Sequence, residues 1–169
     1  MSLGISEWSA AHKGQHRGGN FLTYWVRGHR LFKSTPKSFP VPFVPGDIFD
    51  SNHLMNIPPV YAPPPAPAPE FSGLTSLTPL QGHVSAIHAA MFFHLFDEEK
   101  QFALAQRLAS LLSPLPGSMV SGRHFKADVR GVRDSKPARD DASEVIRVFY
   151  HSPGSWTTLW NARCSGRGQ

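Results

Sequence analysis

The chain has 169 residues, 40% hydrophobic and 17% charged, with 17 Lys and Arg against 12 Asp and Glu. That balance supports one globular core and argues against wholesale disorder. The net charge of +5 and the pI of 9.7 permit an acidic partner without requiring one.

Three further exclusions follow. No apolar run reaches the ~18 residues of a membrane span. The N-terminal stretch lacks the apolar core of a secretory signal. A single cysteine, Cys164, rules out an internal disulfide or a multi-cysteine zinc site. The expected compartment is therefore the reducing cytoplasm, with no membrane partner.

Residues 1–24 hold Gly4, Gly14, Gly18 and Gly19 and no sustained period, which predicts a flexible tail. The domain is expected over residues 25–169. Trp25, His29 and Phe32 are spaced like one face of a short helix within 25–35, ending at Thr35-Pro36. Residues 41–49, VPFVPGDIF, carry the β-formers Val41, Phe43 and Val44 and predict a short strand turning at Gly46-Asp47. Pro42 and Pro45 keep it off a sheet centre.

Residues 56–73 contain seven of the 16 prolines. This composition predicts an exposed polyproline loop, a spacer inside the domain, or a ligand for a proline-binding module at 58–69.

The run 83–96, HVSAIHAAMFFHLF, is apolar on both faces and predicts a buried strand to about Met91. Helix 97–112 follows, with Asp97 as cap and Glu98 and Glu99 in its first turn. Leu104, Ala105, Leu108, Leu111 and Leu112 form its apolar stripe. Gln101, Arg107 and Ser110 fall on its other faces.

Pro116-Gly117 turns the chain into a strand at 118–120. Residues 123–144 are polar and basic and predict a loop. Residues 145–151 predict a strand, and Ser152-Pro153 starts a helix whose apolar face carries Trp156, Leu159 and Trp160. Strand, helix and strand in sequence predict an α/β fold with parallel pairing.

Chemistry-bearing patterns are sparse. Neither glycine-rich phosphate loop occurs, nor a GxSxG elbow. His83, His88 and His94 are too far apart along a strand to converge on a metal, so no metal is expected. His94 stands out because it falls near the carboxyl end of a buried strand, where open α/β sheets bind ligands. Asp47 offers a carboxylate at a turn. Nothing in the sequence lowers the Cys164 pKa. The basic cluster from Arg123 to Arg139 is diluted by Asp128 and Asp134, so no nucleic-acid partner is expected.

Three collinear blocks carry a family resemblance. They are GHRLFKSTPKSFPVPFVPGDIFD, the stretch HVSAIHAAMFFHLFDEEKQFALAQRLASLLSPLPGSMVSGR, and HSPGSWTTLW. Together they cover roughly residues 28–56, 74–126 and 145–160. They resemble fungal class I S-adenosylmethionine-dependent methyltransferases of the small-molecule, secondary-metabolite type. The marks are His94-Leu95-Phe96, the acidic helix start Asp97-Glu98-Glu99, Leu111-Leu112-Ser113-Pro114-Leu115-Pro116-Gly117-Ser118, and Gly122-Arg123.

The resemblance implies a partial Rossmann-like sheet with flanking helices. It implies methyl transfer to a small metabolite, with S-adenosylmethionine as cofactor and O-methylation as the default. Asp47 and Ile48 would meet the adenine end of the cofactor, and His88, Ala89 and Ala90 would lie along it. Phe93 and His94 would line the substrate side, and His94 could accept a substrate proton.

The sequence departs from the family in lacking the glycine-rich loop and the acid that would precede Gly28. Setting aside the tail and the proline segment leaves about 127 residues, about four βαβ units. The expectation is a truncated domain. The alternatives are a catalytically inactive methyltransferase-like fragment or a Pro-rich interaction protein.

Overall fold

The computed structural model describes residues 2–6, 21–35, 37–39, 41–135 and 146–164. Its elements are strand β1 (Ser2–Ser6), helix α1 (Phe21–Leu31), strand β2 (Ala86–Ala90), helix α2 (Glu98–Leu111), strands β3 (Met119–Ser121), β4 (Gly131–Ser135) and β5 (Ile146–Tyr150), and helix α3 (Pro153–Cys164). Short 3-10 turns occupy Thr78–Leu80 and Phe93–Leu95. Among the described residues, no helix is long and apolar enough to cross a membrane.

Two sheets result. The first is parallel, in the order β1-β2-β3. Its centre is β2, with Ser2 opposite Ala86 on one side and Met119 opposite Ala86 on the other. The second pairs β4 with β5 in antiparallel register, Val132 opposite Phe149. The architecture is thus mixed helix and strand around a small parallel sheet, as the strand–helix–strand pattern predicts.

Ile87 and Ala89 of β2 are buried while His88 between them is exposed, the alternation of a strand with only one covered face. The two-faced apolar burial expected of this run does not occur. The strong apolarity of 83–96 goes instead into Phe92, Phe93 and Phe96, which lie beyond the strand and enter the core. A close approach fixes the neighbouring strands at their carboxyl ends. A Cβ placed on Gly122 would lie 2.1 Å from the Ala89 carbonyl oxygen.

Helix α2 begins as its sequence dictates. Asp97 Oδ1 accepts the Lys100 N–H at 2.8 Å. Leu104, Leu108 and Leu111 are fully buried with Phe92, Leu54, Leu80 and Ile87. The helix is covered on more than its leucine stripe, however. Gln101, Arg107 and Ser110, expected on its other faces, are 0%, 7% and 0% exposed.

Each of the three bridges to other chain. Gln101 Nε2 donates to the Phe96 and Phe149 carbonyls at 2.9 and 3.1 Å, tying α2 to β5. Ser110 Oγ lies 3.0 Å from Gln81 Nε2, which also donates to the Met55 carbonyl at 2.8 Å. Arg107 donates from Nη1 to the Leu54 carbonyl and from Nη2 to the Phe49 carbonyl at 3.2 Å. Its guanidinium also lies 5.9 Å from the centre of the Phe49 ring.

Four sequence expectations need correction. Residues 41–47 carry no regular secondary structure, because Pro42 and Pro45 bring no donors to a ladder. Within the expected tail, Ser2–Ser6 forms the strand β1 and α1 starts at Phe21; residues 7–20 lie outside the described set. The first helix therefore ends earlier than Thr35, at Leu31, with Lys33 in the left-handed region (φ 50°) and Ser34 N–H on the His29 carbonyl. Trp25 packs against His29 and stacks on Phe43, whereas Phe32 is exposed.

Finally, Gly131–Ser135, expected as loop, is the strand β4. Its side chains are largely exposed, so it pairs through its backbone without showing apolar alternation. The proline segment does not stand apart from the domain. Pro64 packs so closely on Gly82 that a Cβ there would meet its ring at 2.7 Å.

Loss of the Arg107 fork leaves two carbonyls without their charged donor. Arg107→Met is expected to cost about 3 kcal/mol, a fall of roughly 6–12 °C in melting temperature. Arg107→Lys recovers less than half, since an ammonium lacks the planar fork. Gly122→Ala is expected to cost about 3 kcal/mol or more through the clash with the Ala89 carbonyl. Denaturant melts of the three variants check all of this.

Candidate functional site

An open cleft of about 980 Å³ runs along β3, the edge strand of the parallel sheet. At one end it is bounded by Pro59, Val60 and Tyr61 and by the last turn of α2. At the other it passes the carboxyl ends of β2 and β3, where Phe93, His124, His151, Trp156 and Trp160 gather. The volume lies at the upper end of small-molecule sites.

The aromatic end is built from four separate segments. Phe93 follows β2 on the 3-10 turn, His124 follows β3, His151 follows β5, and Trp156 and Trp160 lie one turn apart on α3. Phe93 meets Trp156 edge-on at 5.0 Å and Trp160 at 6.0 Å. His124 stacks on Trp156 at 4.9 Å with 20° between the planes. His151 lies 5.4 Å from Trp156 and 6.2 Å from His124. The Ala127 N–H on the His151 carbonyl joins the segment after β3 to the end of β5.

The start of α3 holds His151 in place. Ser152 and Ser155 form a reciprocal cap, Ser155 N–H on Ser152 Oγ at 3.2 Å and Ser152 N–H on Ser155 Oγ at 3.0 Å. Ser155 Oγ also lies 2.9 Å from His151 Nδ1. The Ser-Pro helix start expected from the sequence thus also orients a histidine.

The electrostatics keep these rings neutral. Burial first, then the neighbouring His151 and His94, push His124 down to about 4. Burial also lowers His151, against the pull of Glu98. Two cations, Arg123 and Lys126, stand at the cleft, and no carboxylate is among its described lining residues.

The structure brings only two of the sequence-derived site residues, Ala89 and Phe93, into this cleft. His94 borders it through Phe125, 5.2 Å away, without being part of its lining. His88 lies on the opposite face of β2 from Ala89, exposed, with Nδ1 3.2 Å from Ser121 Oγ. Ala90 shares that face by the strand alternation.

Asp47 is half-buried in a tight turn, its Oδ1 accepting the Phe49 N–H at 2.9 Å. The Ile48 side chain is 3% exposed and belongs to the core, so it presents no surface to a ligand. Asp47, Ile48, His88 and Ala90 therefore do not converge on the cleft.

Sequence reasoning missed His124 and His151. His124 falls in the segment read as loop, and His151 is read only as the last residue of a strand. Among the described residues no His, Cys, Asp and Glu group could hold a metal ion.

Half of this chain resembles fungal methyltransferases. Over 84 residues, 50% of its length, it is 36% identical to the asnovolin E/chermesin D methyltransferase of Aspergillus novofumigatus, covering 28% of that protein. It is 34% identical over 84 residues, again 50% of its length, to an O-methyltransferase of a fungal species (strain ATCC 74256), covering 26% of it. It is 35% identical over 81 residues, 48% of its length, to a methyltransferase of Penicillium brasilianum, covering 27% of it. The matched stretch thus spans little more than a quarter of these curated relatives. No protein-family model matches the chain, and no solved structure does.

The His124 ring takes up a proton near pH 4 in the folded chain and near 6.5 when unfolded. The unfolded state therefore binds more protons between those values, and folding is favoured most above pH 6.5. Stability is expected to fall by about 2 kcal/mol as pH drops from 6.5 through 4, discounted for the ring's partial exposure. His53 and His151 act in the same direction. His124→Phe keeps the stack on Trp156 and should flatten this dependence. Urea midpoints at about pH 7 and pH 4.5 measure it.

Proposed function

We propose that the chain is a methyltransferase-type domain that takes a small molecule into the Phe93–Trp156 cleft for methylation. The methyl donor of this reading is S-adenosylmethionine, the acceptor atom is oxygen, and the setting is cytoplasmic. The observation that carries it is the 36% identity to a methyltransferase over half of the chain. The parallel β2–β3 pair, with a cleft at its carboxyl ends, agrees with the partial Rossmann-like sheet that the resemblance implies.

The cleft chemistry suits an acceptor and not the donor. S-adenosylmethionine carries one carboxylate, and its sulfonium, ammonium and ribose diol favour carboxylate partners. The described lining residues offer two cations and no carboxylate. Of the residues the resemblance assigns to the donor, Ala89 lines the cleft while Asp47, Ile48, His88 and Ala90 do not. What this chain's own residues do is bind the acceptor. Phe93, Trp156 and Trp160 supply an apolar wall.

That mismatch favours a second reading, a methyltransferase-like fragment that keeps the acceptor cleft and lacks catalysis. Titration calorimetry with S-adenosylmethionine, with circular dichroism to establish folding, separates the two. Under the catalytic reading the expected result is saturable heat that weakens several-fold in Asp47→Ala. A folded chain that gives no heat overturns that reading and leaves the second.

A further inference from the structure

One wall of the cleft is backbone. Five consecutive residues, Met119 to Arg123, line it. Side chains of a strand alternate between its two faces, so a cleft that touches all five lies off the strand's edge and not over a face. Among the described residues no other strand pairs with that edge, since the sheet ends at β3.

The ladder shows which groups are left over. The Met119 N–H donates inward to the Ser85 carbonyl at 2.9 Å, and the Arg123 carbonyl accepts the Met91 N–H at 2.8 Å. Alternate residues of a parallel strand face its partner, so the N–H and carbonyl of Val120 and of Gly122 turn the other way, toward the cleft. Met119, Ser121, Gly122 and Arg123 are exposed, which leaves this edge open to a ligand. A row of unpaired strand groups is a template for another extended chain.

The flanks set the direction and pattern of that chain. Arg123 and Lys126 stand exposed at the carboxyl end of the edge, neither in an ion pair among the described residues. A chain running parallel to β3, as β1 and β2 do, ends beside them with its carboxylate. A chain running the opposite way starts there with an ammonium, which the two cations repel. Val120 sits opposite Ile87 on the core side of the sheet, the side on which Trp156 and Trp160 pack. Met119 and Ser121 sit opposite Ala86 and His88 on the exposed side. An added strand therefore alternates apolar and polar residues.

We propose that the β3 edge docks the carboxyl-terminal segment of a partner polypeptide as a further parallel strand, with Arg123 and Lys126 holding its terminal carboxylate. The strand is bound before the Phe93–Trp156 corner is reached, and the proposal does not rest on the methyl-transfer reading.

Titration calorimetry of the full chain, without S-adenosylmethionine, tests it with an acetylated pentapeptide of alternating valine and threonine that ends in valine. Five residues extend about 16 Å, the reach from Ser118 to Arg123. The free acid is expected to bind at least about fivefold more tightly than the same peptide with a carboxamide end, a difference that shrinks at high ionic strength. Arg123→Gln combined with Lys126→Gln should bring the acid down to the affinity of the amide and leave the amide unchanged. N-methyl groups on the valine amides or on the threonine amides should abolish binding in one set only, since one edge of the peptide meets β3. Val120→Pro removes an outward N–H and spares the Met119 bond to β2, so it should lose the peptide and keep its melting temperature. If Val120→Pro does not fold, the N-methyl pair carries the test, since it leaves the protein untouched.

Equal binding of acid and amide overturns the proposal. So do an acid unaffected by the Arg123→Gln and Lys126→Gln pair, N-methyl sets that are both tolerated or both lost, and no binding to the folded chain. A chain that self-associates in sedimentation and is not dissociated by the peptide overturns it in favour of a second copy at this edge. None of these outcomes touches the methyl-transfer reading, which fails on absent heat with S-adenosylmethionine.

Discussion

The fold depends on a buried guanidinium. Arg107 projects from the middle of α2 into a segment that has no strand or helix of its own. It is there that the chain from Asp47 to Leu54 must be held against the core. That segment exposes carbonyls that neither a sheet nor a helix satisfies, and Arg107 takes two of them in one fork. Burial pushes the guanidinium below its usual value, but Asp47 and Asp50 nearby oppose that shift. With the fork in place, Ile48 and Leu54 reach the core, and Leu80 and Val84 pack beside them. The amide of Gln101 acts in the same way at the other end of α2, where it binds β5. One helix therefore organises an irregular segment on one side and the second sheet on the other.

This explains how a three-stranded parallel sheet supports a cleft. The sheet is narrow, and its edge strand β3 has only three residues. What stands beside that edge is a cluster of rings from the 3-10 turn after β2, the segment after β3, the end of β5 and α3. The rings interlock edge-on and in one stack, so the wall of the cleft is fixed by aromatic packing and not by the sheet. The cap of α3 adds direction by fixing His151 through Ser155.

How much of this the sequence disclosed depends on whether the signal was local. The helix α2 was legible because its cap, its acidic first turn and its leucine stripe all lie within one short window. The strands β2, β3 and β5 and the start of α3 were legible for the same reason. Helix α1 was legible in part, since Trp25 and His29 do share a face while Phe32 does not. The strand β4 was hidden because its side chains are exposed and its pairing is made by backbone groups that every residue carries. Gln101, Arg107 and Ser110 read only as lying off the leucine stripe, because polarity alone does not show whether carbonyls wait on the other side. At the cleft, Ala89 and Phe93 were legible from strand position. The meeting of His124 with His151 was not, because it is made by tertiary convergence of two segments with no common pattern.

The proline segment shows a different economy. Pro59 together with Val60 and Tyr61 forms one end of the cleft, and Pro64 seats on Gly82. A stretch with no helix or strand normally loses much freedom when it is ordered against a domain. Here the pyrrolidine rings have already narrowed the backbone before folding, so the unfolded chain has fewer conformations to surrender. A wall of the candidate cleft is thus ordered at a lower entropic cost through restriction of the denatured ensemble, in a part of the chain without helix or strand.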